Sequence, residues 1–440
     1  MTRRFRAPVM LAALMALSSC GIFKGGPKKT PTVGQRVPIL VSENQAEADP
    51  ALASLPVTLP APQVNEAWAQ PGGNAEKSLG HLQLGASPAR AWTAQIDGGT
   101  NRQRLGSAPV IAENKLFVVD VDATVHAFDA RTGAKLWSTA IVQGDENRSA
   151  RFGGGVSYDA GRVFATSGLG DVVALGAADG AVAWRAKPGG PLRGSPTIAN
   201  DTVYVLSQDN QIFALNQPDG RVRWAQSGTI ETQGVFGVAA PASAQGTVVA
   251  GFSSGDLNAY RYENGRVLWQ DALSRTSIST SVSSLADIDA SPVIDGGRVF
   301  AVGEGGRMVS LDLATGQRLW EQNIAGIETP WVAGEWVFVV ADDGRLFCLS
   351  RATGRPRWIS QLRAFRNVKK RSGAITWFGP LLAGGRLVLT STQGEIVYVN
   401  PADGAVSATV EAGDAFSLPP VLANGTLYTL DERGRIAAYR

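Results

Sequence analysis

From about residue 64 to the C-terminus the chain consists of short runs in which apolar and polar positions alternate, each bounded by Gly, Asp, Asn or Pro. A period of two predicts strands half-buried in a sheet, and the punctuation between them predicts tight turns. The runs recur as a unit. Most units open on a small residue and a proline, as at Ala108-Pro109, Ser195-Pro196, Ala240-Pro241, Ser291-Pro292, Thr329-Pro330, Gly379-Pro380 and Pro419-Pro420, with Val156 in the second unit. Proline lacks the N–H a ladder needs, so it marks a strand's first position. A β-branched and aromatic strand follows, such as Lys115-Leu116-Phe117-Val118-Val119 or Thr202-Val203-Tyr204-Val205.

The third strand carries a nearly uniform small-residue column, Ala127, Ala174, Ala214, Ala259, Ser310, Cys348, Tyr398 and Ala438. A turn glycine comes next, at Gly133, Gly180, Gly220, Gly265, Gly316, Gly354 and Gly404. Four residues beyond six of these stand Trp137, Trp184, Trp224, Trp269, Trp320 and Trp358; Ala408 fills the slot in the seventh unit. With Trp92, the tryptophans lie 38 to 51 residues apart, the period of a four-stranded unit. Their fixed register predicts packing between neighbouring units rather than a ligand platform.

Strands one to three occur eight times, but only seven copies are followed by a fourth strand before Arg440. The segment Ala89 to Ile96, with Trp92 in register, has no first three strands of its own. Joining it to the last unit predicts an all-β fold: an eight-bladed β-propeller of four-stranded antiparallel blades, its ring closed by the N-terminal strand pairing with the C-terminal blade. Closure removes the open sheet edges that a seven-bladed ring with a stray unit would leave.

The N-terminus reads differently. Arg3, Arg4 and Arg6 precede an apolar run from Val9 to Leu17, about nine residues where a spanning helix needs roughly 20. Residues 1–19 are expected to be a signal peptide. Leu17-Ser18-Ser19-Cys20 looks like the lipobox of bacterial lipoproteins, which makes Cys20 the expected lipidation site and the membrane a partner through the anchor. Gly21 after it favours the outer membrane, on the periplasmic side. Residues 20–63 hold many prolines and no period, which predicts a disordered tether, and 64–440 form the propeller domain.

Composition bears on function only after that leader is set aside. Removing three arginines takes 41 basic residues to 38, against 38 acidic, so the formal charge of +3 falls to zero and no nucleic-acid footprint is left. Cys348 has no intrachain partner besides Cys20, and its place in the small-residue column predicts an inert packed thiol. His81 and His126 are the only histidines, too few for a metal or catalytic cluster. His126 is expected as a partly exposed strand residue, and His81 shows no visible partner. A basic run from Arg363 to Arg371 is expected in the loop between the sixth and seventh blades. It is either solvated or in contact with anionic headgroups or an acidic partner.

The pattern Ala-x-Asp-x-x-Thr-Gly-x-x-x-Trp, nearest at Ala127 to Trp137 and Leu311 to Trp320, resembles the repeat of quinoprotein propellers. A lipobox, a tether and eight bare blades are similar to the BamB family, propeller lipoproteins of the outer-membrane β-barrel assembly machine. The resemblance implies a non-catalytic scaffold without cofactor or metal. It would dock the periplasmic domains of the barrel subunit, assist insertion of outer-membrane proteins, and receive unfolded clients along its strand edges. Ser284 to Val293 resembles the family's acidic partner-binding loop, which carries that role to Asp287 and Asp289. In the preceding interblade loop the family's Leu-Arg-Gly is replaced by Val235-Phe236-Gly237, so the apolar contact survives at Val235 and Phe236 and the arginine does not. Two other readings remain: a propeller adaptor of another envelope complex, and a pyrroloquinoline-quinone dehydrogenase. The latter finds no Cys-Cys pair, no haem-attachment motif and no long interblade insertions here.

Overall fold

The computed structural model describes residues 46–440 apart from 101, 145–146, 230–238 and 274–286, all within the compact unit Asn44–Arg440. Cys20, Val235 and Phe236 lie outside the described residues. Eight four-stranded antiparallel sheets follow one another as blades: 110–140, 156–186, 192–227, 242–272, 293–322, 331–361, 377–411, and an eighth in which strands Val421–Ala423, Thr426–Leu430 and Arg435–Tyr439 are completed by Arg90–Gln95. This is the eight-bladed propeller that the repeat predicts, with the predicted closure. Trp92 pairs with Ala438 and Gln95 with Arg435, and beyond the strand ends Ala89 and Arg440 exchange backbone hydrogen bonds of 2.6 and 2.9 Å.

The sequence columns have a shared physical reason. In each of seven blades the small residue of the third strand lies directly opposite the fourth-strand tryptophan: Ala127 with Trp137, Ala174 with Trp184, Ala214 with Trp224, Ala259 with Trp269, Ser310 with Trp320, Cys348 with Trp358 and Ala438 with Trp92. A small partner makes room for the indole. Blade seven reverses the sizes, placing Tyr398 opposite Ala408. Second-strand aromatics add tilted contacts, for example Phe117 with Trp137 and Tyr204 with Trp224, ring centroids 5.9 Å apart.

Each tryptophan then reaches the next blade. The Trp269 indole N–H donates to the Leu313 carbonyl at 2.8 Å, Trp224 to Tyr262 at 2.9 Å, and Trp358 to Pro401 at 2.9 Å. The ring lies against that blade's turn glycine. At Gly180, φ is +71° and a Cβ would stand 2.6 Å from the Trp137 ring, so both the backbone conformation and the indole require glycine there. This geometry also accounts for Ala408. The eighth blade has no turn between its third and fourth strands, because those strands come from opposite ends of the chain, so the receptor for a tryptophan at 408 does not exist.

Residues 65–84 form a strap that the strand pattern does not reveal. It runs along the ends of the innermost strands and touches all eight blades in ring order. The Asn424 N–H donates to the Asn65 carbonyl in blade eight, and Trp68 and Ile111 exchange two 2.8 Å hydrogen bonds in blade one. The Ala69 carbonyl accepts from Tyr158 N–H in blade two, and the Gln70 side chain holds both backbone groups of Ile198 in blade three. Ala75, Glu76 and Gly80 carbonyls accept from Ser243 N–H, Ile294 N–H and the Trp331 indole in blades four, five and six. Leu82 closes the circuit on Leu382 and Gly384 in blade seven. Trp68 stacks on Trp331 with centroids 6.2 Å apart. Lys77 is buried with its ammonium on Thr197 Oγ1 at 3.0 Å, and burial pushes its pKa down to about 7.

Four local expectations are revised. Residues 49–63, assigned to the tether, lie on the propeller: Asp49 N–H donates to the Pro356 carbonyl and its carboxylate pairs with Arg355 at 3.1 Å. His81, part of the strap, is buried between blade seven and the segment at Pro60. The Gly385 N–H donates to its Nε2 at 2.8 Å, which leaves Nδ1 as the donor to the Pro60 carbonyl at 2.7 Å. His126 is buried rather than partly exposed, its Nε2 2.7 Å from Asp120 Oδ2. The basic run forms a two-stranded hairpin of its own, Phe365–Asn367 with Ser372–Ala374. Cys348 is a buried free thiol, and burial pushes its pKa up, in keeping with a packing role.

Candidate functional site

An antiparallel meander puts its first and third turns at one end and its second turn at the other. One face of the ring therefore carries the first and third turns and the strap; the opposite face carries the second turns and all interblade loops. Asp287 and Asp289 belong to the interblade-loop face. The strand Leu192–Ala199 starts on that face and brings in Arg193, whose guanidinium lies 3.2 Å from Asp287 Oδ1 and 3.0 Å from Asp289 Oδ1. Arg193 also donates to Ser253 Oγ at 2.9 Å, and Ser253 N–H and Oγ–H both donate to Asn210 Oδ1. The network ties blades three and four to the loop entering blade five. Ile288 N–H on the Phe252 carbonyl and Glu304 N–H on the Asp287 carbonyl fix the same loop through its backbone.

The two aspartates do not present a bare acidic surface. Asp287 is 1% exposed and Asp289 8% exposed, and Arg193 at 4% sits between them. Carboxylates buried on one guanidinium organise a loop before they can touch a partner. Burial, followed by the neighbouring Asp287, holds the Asp289 carboxyl well above the usual carboxylate range. The arginine of this network belongs to Leu192-Arg193-Gly194, at the start of the first strand of blade three. The signal was the tripeptide itself, but nothing in strand periodicity says that Arg193 passes over blade four to reach blade five.

Beside this network the ring axis holds a cavity of about 110 Å³. The strap residues Trp68, Pro71 and Gly72 form its floor; Asp289 and Glu328 are among its polar lining. Glu328 accepts the Gly379 N–H at 2.9 Å, and burial pushes its carboxyl up to about 8. The hydroxyls of Ser107 and Ser195 line the cavity and have no protein partner. Small-molecule sites run to roughly 300–1,000 Å³. The cavity above Trp68 is smaller than that range. Among the described residues no group of three or more His, Cys, Asp or Glu side chains is placed to hold a metal ion.

Fold and repeat define the class: an eight-bladed propeller built on the pyrroloquinoline-quinone-like repeat. A family model described as outer membrane protein assembly factor BamB matches residues 86–146 and 121–360, more than half of the chain. The chain belongs to that family. It is 28% identical over 368 residues to the outer membrane protein assembly factor BamB of Yersinia pestis, covering 80% of this chain and 89% of that protein. The crystal structure of BamB from Moraxella catarrhalis superimposes with a TM-score of 0.65 at 17% identity, over 81% of this chain and 98% of that one. The quinohemoprotein alcohol dehydrogenase of Comamonas testosteroni gives 0.66 at 14% identity over 85% and 80%. At those identities the two structures speak for the fold alone.

Proposed function

We propose that this protein is a non-catalytic scaffold of the outer-membrane β-barrel assembly machine, docking the periplasmic domains of the barrel subunit through its interblade-loop face. Family membership carries the reading. The geometry supports the choice of face. The strap occupies the ends of the inner strands on the other side, while the interblade-loop face carries a loop pinned by Arg193, Asp287 and Asp289. In this reading the aspartates shape the docking loop, and Val235 and Phe236 supply apolar contact. The small cavity over Trp68 supports a role without a quinone. Cys20 is the proposed lipid anchor, holding the protein on the periplasmic side of the outer membrane.

The test is affinity purification of the intact protein from detergent-solubilised envelopes, with co-purifying proteins identified by mass spectrometry. The barrel subunit should be recovered with the parent chain and reduced with an Asp287→Asn, Asp289→Asn variant. Recovery of a different envelope complex, without any barrel-assembly component, would make the protein an adaptor of that complex instead.

A further inference from the structure

Between blades six and seven the chain leaves the ring to form the hairpin of Phe365–Asn367 and Ser372–Ala374. From Arg363 to Thr376 it holds five cations and no carboxylate. Arg363 is paired with Glu395 at 2.6 Å; no carboxylate pairs with Arg366, Lys369, Lys370 or Arg371 among the described residues. At the apex stands Val368, 68% exposed, the most exposed large apolar side chain among the described residues. Arg371 lies over the Phe365 ring at 5.7 Å, which leaves its charge at the rim of the hairpin.

An exposed apolar tip inside a ring of unpaired cations suits a surface that is anionic on the outside and apolar beneath. We propose that this hairpin docks on the headgroup layer of an anionic phospholipid membrane, with Val368 entering at the tip and Arg366, Lys369, Lys370 and Arg371 meeting phosphates around it. A protein partner fits less well. A specific interface takes about 800 Å² from each side around an apolar core, and a narrow hairpin with one large exposed apolar residue and its cations on one strand and the turn offers neither. A lipid surface needs no shape complementarity. The contact would orient the propeller by its interblade-loop face, independently of what that face binds.

The experiment uses the full chain with Val368→Cys carrying a polarity-sensitive fluorophore, reconstituted into vesicles of phosphatidylcholine alone or with phosphatidylglycerol. Cys348 is buried, and labelling of the parent chain supplies the background. The emission should brighten and shift to the blue only with phosphatidylglycerol, and salt should reverse it. Removing one cation, as in Lys369→Ala, should lower the docked-to-free ratio about fivefold, the equivalent of about 1 kcal/mol per cation near an anionic surface. Charge reversal at Lys369, Lys370 and Arg371 should abolish the shift while the thermal melt stays unchanged, because these side chains are exposed. Equal emission in both vesicle types would overturn the proposal and leave a solvated hairpin. A shift that appears only on adding the barrel subunit's soluble domains would also overturn it, and would assign the hairpin to a protein partner.

Discussion

Each repeat tryptophan fills the space opposite a small residue in its own blade, donates its indole N–H to the next blade and covers that blade's turn glycine. Burying such a ring removes on the order of 200 Å² from water, worth roughly 4–6 kcal/mol before entropy. Trp269→Ala should therefore destabilise the ring by about 3–5 kcal/mol in denaturant unfolding, whereas a substitution at Ala408, which faces no receptor turn, should cost far less. Gly180→Ala should also be destabilising, by more than about 1 kcal/mol, because it combines a positive φ with a clash against Trp137. Arg193 belongs to this scale too. Arg193→Met leaves two buried carboxylates without their cation and should cost about 3–5 kcal/mol. Adding Asp287→Asn and Asp289→Asn should recover most of the loss; if the triple variant is no more stable than the single one, the network does not hold the loop.

At the scale of elements, the strap is the part of the fold that periodicity could not reach. Its hydrogen bonds run to all eight blades, so it forms no repeat strand of its own and the sequence placed it in the propeller domain without revealing its path. What decides its path is the closed ring beneath it. An N-terminal segment that touches blade eight first can dock fully only after the C-terminal blade is in place. Lys77 gives the strap a pH signature. Its folded pKa, about 7, lies below the unfolded value of 10.5, so between those values the unfolded chain holds more protons and stability rises with pH. Below about pH 7 the lysine is charged in both states and the burial cost is present in full. The melting temperature of the parent should climb from pH 7 to pH 10, and Lys77→Met should melt higher at neutral pH and lose that climb. A Lys77→Met melt with the parent's pH profile would place the dependence elsewhere.

For the whole molecule, the ring was legible in the chain because six blades repeat one full size code: small residue, turn glycine, tryptophan. Counting the copies of strands one to three predicted eight blades, and the orphan strand around Trp92 predicted the closure. The site was legible only in part. Asp287 and Asp289 stand in the loop where resemblance puts them, but their burial on Arg193 depends on a contact across 94 residues that no local pattern encodes. The same is true of His81 and His126, whose partners come from a loop carbonyl, a distant amide and a turn aspartate. Backbone repetition announces a propeller; the side-chain networks on its faces are particular to each chain.

The central claim is that the interblade-loop face meets the barrel subunit. Site-specific photocrosslinking in intact cells tests it most directly, with the crosslinker placed in turn at Asp209 and Asp343 on that face and at Asn264 and Thr353 on the strap face, all four exposed. The account predicts adducts to the barrel subunit from Asp209, Asp343 or both, and none from Asn264 or Thr353. Adducts confined to the strap face, or none to the barrel subunit from any position, would contradict it.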